Sequence, residues 1–467
     1  MTAPPQLTLD LDRPIHLVGI GGAGMSALAS ILLQRGHTVT GSDLRGGPAA
    51  TALAAMGARV AIGHAAEHVG SPALVVTSTA VPSENPEVAT ARERGIPVVR
   101  RAELLAALIG GRRGLLVAGT HGKTTTTSMV TVALQQAGLD PSFAIGGMIH
   151  GSGASAHHGL GDIFVAEADE SDRSLLVFAP DCAIVTNVEL DHHDVYRELD
   201  EVLDTFARFL AQRTTGAPAI ICADDNGARH LAAMVDDPVV TYGQTPDADL
   251  QLTAITLDTG ASRCVVVREG LPPAELILRV PGLHNLLNAV AAVAAATWAG
   301  ADIDAVLEGL SRFGGAQRRF ERLGTARGVT VVDDYAHHPT EIVATIAAAR
   351  QTALRGKLVA VFQPHRYSRT AVLAEELGRA LGGADAAVVT DVYPAGEAPE
   401  PGVTGQLVAD AAAATGVPTQ YVADTLDVTA AVAEMVGEGD LVLTLGAGDV
   451  TQVGPLLLQV LEGGADA

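Results

Sequence analysis

The sequence predicts an α/β protein of three domains, and three observations carry that reading. Short apolar runs, each ending in glycines or polar residues and followed by a helix-forming stretch, recur along the chain as strands alternating with helices do. A chain of 467 residues outgrows a single hydrophobic core. Arginine-bearing junctions at Arg112-Arg113 and Arg318-Arg319 part the recurrences into blocks of residues 1–108, 109–321 and 322–467.

Composition narrows the function classes. Hydrophobic residues make up 48% of the chain but aromatics only 3%, so Ala, Val and Leu must fill the cores. The net charge of −23 argues against nucleic acid and anionic membranes as partners, and any anionic ligand must be held by local positive sites. Three widely spaced cysteines, Cys182, Cys222 and Cys264, fit the reduced thiols of a cytoplasmic enzyme. Residues 1–12 lack the basic start of a secretory leader, and glycines break the apolar stretch at 15–33, so no membrane insertion is expected.

In the first block, residues 15–20 read as a buried strand, 25–34 as a helix ended by Gly36, and 37–40 as a second strand. Between strand and helix, Gly19, Gly21 and Gly24 spell G-x-G-x-x-G, with Gly22 and Ala23 inside it. Asp43 stands just past the second strand. This Rossmann-like fingerprint seats a pyrophosphate on a helix N-terminus and offers a carboxylate to a ribose hydroxyl. NAD and a UDP-sugar satisfy it equally, so an NAD-dependent oxidoreductase stays open here. Residues 73–80 read as a strand presenting Ser78 and Thr79 at the same edge, and 96–99 as another short strand.

The second block opens with an apolar strand at 115–118, then Gly119-Thr120-His121-Gly122-Lys123-Thr124-Thr125 and a helix. The order suits a triphosphate: glycines admit backbone N–H groups to the anion, the helix contributes its dipole, Lys123 a point charge, and Thr124 a hydroxyl for Mg²⁺. The standard loop would carry glycine at position 117, where this chain has Val117. The chain has only two lysines, Lys123 and Lys357, against 28 arginines, so the lysine kept here stands out. Residues 162–172 form a strand ending in acids, of which Glu167 is best placed as a Walker-B-type Mg²⁺ ligand. Residues 183–194 place Asp191-His192-His193-Asp194 after another strand. Asn285 and Asn288, three apart on an alanine-rich helix, can read a base or ribose or can cap the helix. Arg318 and Arg319 follow in a loop suited to phosphate.

The third block repeats one design four times. Strands at 329–332, 358–362, 386–389 and 440–445 each run into a polar or glycine-rich loop, predicting a third parallel α/β sheet with one functional edge. Those loops carry Asp333, Tyr335, His337 and His338, then His365, Arg366 and Arg369, then Tyr393.

Taken together, GIGGAGM, GTHGKTTT, EADESD, TNVELDHHD, GLHNLLNA, RRFE, DDYAHHPTE, HRYSRT and DVYPAGE resemble the Mur ligases, in order and over nearly the whole chain. The first glycine loop is closest to the branch that adds L-alanine to UDP-N-acetylmuramate. The branch that recycles murein tripeptide is the alternative. The resemblance implies a Rossmann-like first domain for the UDP-sugar, a P-loop ATPase-like second and a Rossmann-like third for the amino acid. It implies a cytoplasmic, ATP-dependent amide ligase of peptidoglycan synthesis, acting through an acyl phosphate, as a monomer or homodimer. Family-like roles fall on Lys123, Glu167, His192 and His338 in catalysis, and on Thr124, Glu167 and His192 at Mg²⁺ or Mn²⁺. ATP falls to Gly119–Thr125 with Asn285, Asn288, Arg319 and Asp333. Tyr335, His337, His365, Arg366 and Arg369 fall to the amino-acid end. Two departures stand out. With no lysine between Lys123 and Lys357, the carbamylated lysine of several sister ligases is impossible here, and His193 replaces a more usual methionine.

Overall fold

The apolar runs become the strands of three sheets. The computed structural model describes residues 12–235, 238–258, 260–352 and 355–463, so most of the segment read above for a leader lies outside the described residues. By compactness the chain forms two units. The first comprises residues 1–189, 198–251 and 289–310, and the second 190–197, 252–288 and 311–467.

The first unit holds two sheets. One is the parallel set β1 (Ile15–Val18), β2 (Val39–Asp43), β3 (Arg59–Ile62), β4 (Leu74–Thr77) and β5 (Val98–Arg100), ordered β3-β2-β1-β4-β5. Strand β1 stops at Val18 because Gly19 turns left-handed at φ 77°, and Asp43 proves to be the last residue of β2 rather than the first beyond it. The half-exposed β3 was not legible as a strand: its four residues show no clean alternation.

The other sheet is built from β6 (Arg113–Ala118), β7 (Ser142–Ala144), β8 (Ala156–His157), β9 (Ile163–Glu167), β10 (Cys182–Val185), β11 (Ala219–Cys222) and β12 (Val239–Gly243), ordered β12-β11-β10-β6-β9-β7-β8. Strand β6 lies between β10 and β9, buried from Gly114 to Ala118, and it delivers the phosphate loop to the carboxyl edge. The helix Lys123–Gln136 buries a row of hydroxyls by turning them back on its own carbonyls: Thr127 donates to Lys123 O, Ser128 to Thr124 O and Thr131 to Thr127 O, each at 2.8 Å. Arg112 and Arg113, read as a junction, are anchored. Arg112 donates to Gly161 O and Ser142 Oγ, and Arg113 lies 4.3 Å over the Trp298 ring.

The chain enters the second unit along β13 (Leu250–Asp258), followed by the hairpin β14 (Ala261–Arg268) and β15 (Ala274–Leu278). The second unit's own sheet orders β16 (Glu321–Ala326), β17 (Val329–Asp334), β18 (Leu358–Phe362), β19 (Ala386–Val389), β20 (Thr419–Tyr421) and β21 (Leu441–Leu445) as β16-β17-β21-β18-β19-β20. It departs from the all-parallel expectation at one edge. Arg327 and Gly328 are both left-handed, at φ 48° and 77°, the geometry of a two-residue hairpin, so β16 runs antiparallel to β17. Among the described residues no helix is long and apolar enough to cross a membrane.

Candidate functional site

In the first unit the two carboxyl edges meet in one cavity of about 940 Å³. Gly19, Gly22, Ala23 and Gly24 line it from the glycine turn, joined by Asp43, Ser78 and Thr79. Gly21 does not line it. Its N–H is bound by Asp43 Oδ2 at 2.9 Å, so the acid read as a ribose partner also holds the loop in shape. The central sheet contributes Gly146, Glu167 and Asp169 to the same lining. Arg101, unassigned from sequence, lines it beside Gly24, where an added Cβ would stand 3.0 Å from its Cδ. Its signal was available, since it follows the last residue of β5 and so sits at the strand-end edge.

The phosphate loop is preshaped. Gly119 has φ 127° and lies so close to β10's end that a Cβ would fall 2.0 Å from Thr186 Oγ1, and Gly122 enters the helix at φ 82°. His121 N donates to Asn187 Oδ1 (2.8 Å) while Asn187 Nδ2 donates to His121 O (3.0 Å), and Thr120 Oγ1 accepts from Glu189 N (2.9 Å). His121 Nε2 lies 3.0 Å from Glu189 Oε2. Thr186 and Asn187, present in the TNVELDHHD run but given no role, are therefore the straps of the loop.

Lys123 turns inward. Its ammonium donates to Gly119 O (2.7 Å), Thr120 O (3.2 Å) and both oxygens of Glu170 (2.9 and 2.8 Å). Burial alone would push its pKa down, but Glu170, with Asp169 and Glu167 behind it, pushes it up, so the lysine is charged. Glu170 stands three residues beyond Glu167 in the same acidic run. Thr124 Oγ1 donates to Glu167 Oε2 at 3.2 Å, and Gly146 N to Glu167 Oε1 at 2.7 Å. A hydroxyl paired with a carboxylate is a hard-oxygen donor set that fits Mg²⁺, and Thr124 lies in the first turn of the helix whose N-terminus favours an anion.

The second unit gathers a separate group. Asp191 and Arg369, 4% and 5% exposed, face each other with Arg369 Nη2 donating to both carboxylate oxygens (3.0 and 3.1 Å) and Nε to one (3.1 Å). Burial would raise the Asp191 pKa, but the guanidinium outweighs it and holds the carboxyl far below its usual range. His192 is left-handed at φ 54°, its Nε2 3.8 Å from Asp191 Oδ2. Arg366 donates to Asp194 at 3.0 Å. His365 stacks on Tyr393 with centroids 5.6 Å apart and meets His337 edge-to-face at 5.8 Å, and Arg318 and Arg319 each lie 5.0 Å over Tyr335. Burial pulls the His337 pKa down to about 4 and that of His365 to about 3, so both rings are neutral.

Three residues expected at the nucleotide are tied into the fold of this unit. Asp333, 1% exposed, accepts from Arg318 Nε (2.9 Å), Thr444 Oγ1 (2.6 Å) and Thr451 Oγ1 (3.1 Å). Asn285 donates from Nδ2 to Pro281 O at 2.6 Å, and Asn288 is buried one turn on. His338 precedes the helix Pro339–Gln351 at its N-cap, where Glu341 accepts its backbone N–H.

Family models match almost end to end: the Mur ligase family, catalytic domain, over residues 14–113; the Mur ligase middle domain over 117–296; and the Mur ligase, glutamate ligase domain, over 318–448. The chain is 51% identical over 465 residues to the UDP-N-acetylmuramate--L-alanine ligase of Saccharopolyspora erythraea, covering 98% of this chain and 94% of that one. It is 49% identical over 462 residues to the enzyme of that name from Streptomyces avermitilis, covering 98% and 99%. Among solved structures, the UDP-N-acetylmuramate-alanine ligase MurC of Thermotoga maritima is similar with a TM-score of 0.83 at 30% identity, covering 97% and 100%. A murein peptide ligase from Psychrobacter arcticus is similar with a TM-score of 0.73 at 26% identity, covering 96% and 99%.

Proposed function

The chain belongs to the Mur ligase family, and from that premise we propose that it joins L-alanine to UDP-N-acetylmuramate with hydrolysis of ATP to ADP and phosphate. The observation that carries the reading is the first unit's cavity, lined both by a pyrophosphate-type glycine turn and by Glu167 beside the phosphate loop. One anionic ligand reaching from Gly22–Gly24 toward Glu167 would bring its far end to the metal-side acids, as transfer of a phosphoryl group to a substrate carboxylate requires.

The reaction divides into two displacements. The muramyl carboxylate takes the γ-phosphoryl group of ATP, releasing ADP and leaving an acyl phosphate. The L-alanine amine then adds to that carbonyl, loses a proton and expels phosphate. Two anions must approach each other in the first step, so fixed positive charge governs the barrier. Lys123 would exchange its Glu170 and carbonyl partners for the triphosphate, while Thr124 and Glu167 would hold Mg²⁺. When bound, the metal neutralises charge on the phosphates. The roles of His192 at the metal and of His337, His365, Arg366 and Arg369 at the amino acid are parts of the same proposal. With pKa values of about 4 and 3, the two imidazoles serve as neutral hydrogen-bonding walls and not as stores for the amine's proton. ATP and UDP-linked precursors meet in the cytoplasm, where we place the reaction.

The test is phosphate release from ATP in the presence of UDP-N-acetylmuramate. L-alanine should stimulate it and murein tripeptide should not. Stimulation by the tripeptide alone would move the chain to the recycling branch.

A further inference from the structure

The three-stranded corner of the first sheet buries a polar cluster that the reaction described above does not use. Glu87, 0% exposed, stands in the first turn of the helix Pro86–Glu93. Its carboxylate is surrounded by donors. Oε2 receives His16 Nε2 (2.6 Å) and Ser42 Oγ (2.8 Å), and Oε1 receives His64 Nδ1 (3.0 Å) and the Ala65 N–H (3.3 Å). His16 is held from its other side by Thr40 Oγ1 at 2.8 Å, and Ser42 Oγ also lies 2.9 Å from His64 Nδ1. So many polar groups around one buried acid exceed what two strands and a helix need in order to pack, since an apolar residue of similar size would satisfy the fold.

One member of the cluster leaves the core. His64 lines the 940 Å³ cavity, in the same lining as Asp43 and Leu44. It follows β3 after Gly63, whose N–H is bound to Asp43 O at 2.7 Å, so the turn carrying His64 is fastened to the end of β2. Glu87 can only accept in this setting, because burial would raise its pKa but His16, Ser42 and His64 together hold it below the usual range. With Nδ1 committed to the carboxylate, Nε2 is the ring nitrogen left to meet a ligand.

We propose that Glu87 is a positioning residue for nucleotide recognition: it fixes His64 as a hydrogen-bond acceptor at the nucleoside end of the cavity. The chemistry selected is a donor beside the ribose-facing Asp43, either a ribose hydroxyl or the imide N–H of a uracil-type base. The inference rests on the reading that the sugar nucleotide occupies this cavity, and it adds the device that sets the orientation and proton of its reader. A cytosine ring presents a lone pair where uracil presents that N–H, so the imide arm rejects CDP and the hydroxyl arm rejects 2′-deoxy-UDP.

The experiment is calorimetric binding of UDP, CDP and 2′-deoxy-UDP to the full chain and to three variants. H64N retains a group at the Nδ1 position and removes the one at Nε2. E87Q removes the charge that fixes the ring, and G22V fills the glycine turn. H64N and E87Q should each weaken UDP by about tenfold or more, the size of one lost oriented hydrogen bond. They should also raise the KM for the sugar nucleotide without moving the KM for ATP. Discrimination by the parent chain against CDP or against 2′-deoxy-UDP should collapse in both variants. UDP affinity lost in G22V but unchanged in H64N overturns this proposal alone. UDP affinity unchanged in G22V overturns the cavity assignment beneath it. Because H64N leaves the His16, Ser42 and Ala65 contacts to Glu87 in place, it answers the question even where E87Q does not fold.

Discussion

Lys123 holds its ammonium against two loop carbonyls and the buried Glu170, and a triphosphate entering the loop has to take over those contacts. Lys123→Ala should lower ligation by at least about 10²–10³-fold, as removal of a fixed charge at a reacting centre does, read by phosphate release. Lys123→Arg should fail nearly as badly, because a planar fork does not replace a compact ammonium in that pocket. Gly119→Ala is the backbone counterpart. At φ 127°, with Thr186 Oγ1 2.0 Å from the new methyl, the loop must move, so ATP-dependent turnover should be lost while UDP binding persists. Activity near that of the parent would refute the loop geometry. At this scale the sequence was legible where chemistry repeats a short motif, as at Lys123, Thr124 and Glu167. Glu170, Thr186 and Asn187 were hidden because their roles depend on β9 and β10 flanking β6, a neighbourhood no local spacing reveals.

Elements, unlike residues, act through what they enclose. The Asp191–Arg369 pair joins the short segment 190–197 to the helix Tyr367–Leu381, and Arg369→Ala leaves a buried carboxylate without its counter-charge. The expected loss is about 3–5 kcal/mol, measured by denaturant titration. The folded pKa of Asp191 is depressed, so that stabilisation is complete above the unfolded value of about 3.9 and fades only in stronger acid. The buried histidines work at milder pH. His284 and His337, lowered to about 4, and His365, to about 3, bind fewer protons folded than unfolded, so stability is full above about 6.5 and falls as pH drops toward 4. Asp334, raised by burial to about 6, has the opposite sign, losing its contribution as pH rises from about 3.9 to 6. Three groups against one leave acid destabilising. Thermal melts should show a falling midpoint from pH 6.5 to 4, flattened in His365→Gln; a flat parent profile would contradict the burial of these rings. The same elements mark where pattern reading stopped. Strands buried on both faces were legible as apolar runs, but the antiparallel β13–β15 stretch and the edge strand β16 were not. In β16 a glycine interrupts the pattern, and a bulge shifts the register between Arg322 and Gly324.

For the molecule as a whole, order along the chain was the most informative property. No single motif separated a dinucleotide enzyme from a ligase, whereas nine in sequence did, because each strand end contributes to an edge and only the set describes a reaction. The acidic surplus of −23 is a property of the same scale, and it makes positive side chains such as Lys123 at the loop and Arg101 in the cavity local exceptions. The chain's near-abandonment of lysine has a practical side. Lys357 is exposed, whereas Lys123 is mostly enclosed and charged against Glu170. A neutral-pH acylating dye, which needs a free amine, should therefore mark one side chain of the folded protein, Lys357, and reach Lys123 only on denaturation, as peptide mass mapping would show. A fluorophore or surface tether could then be attached at one chosen side chain without engineering a cysteine.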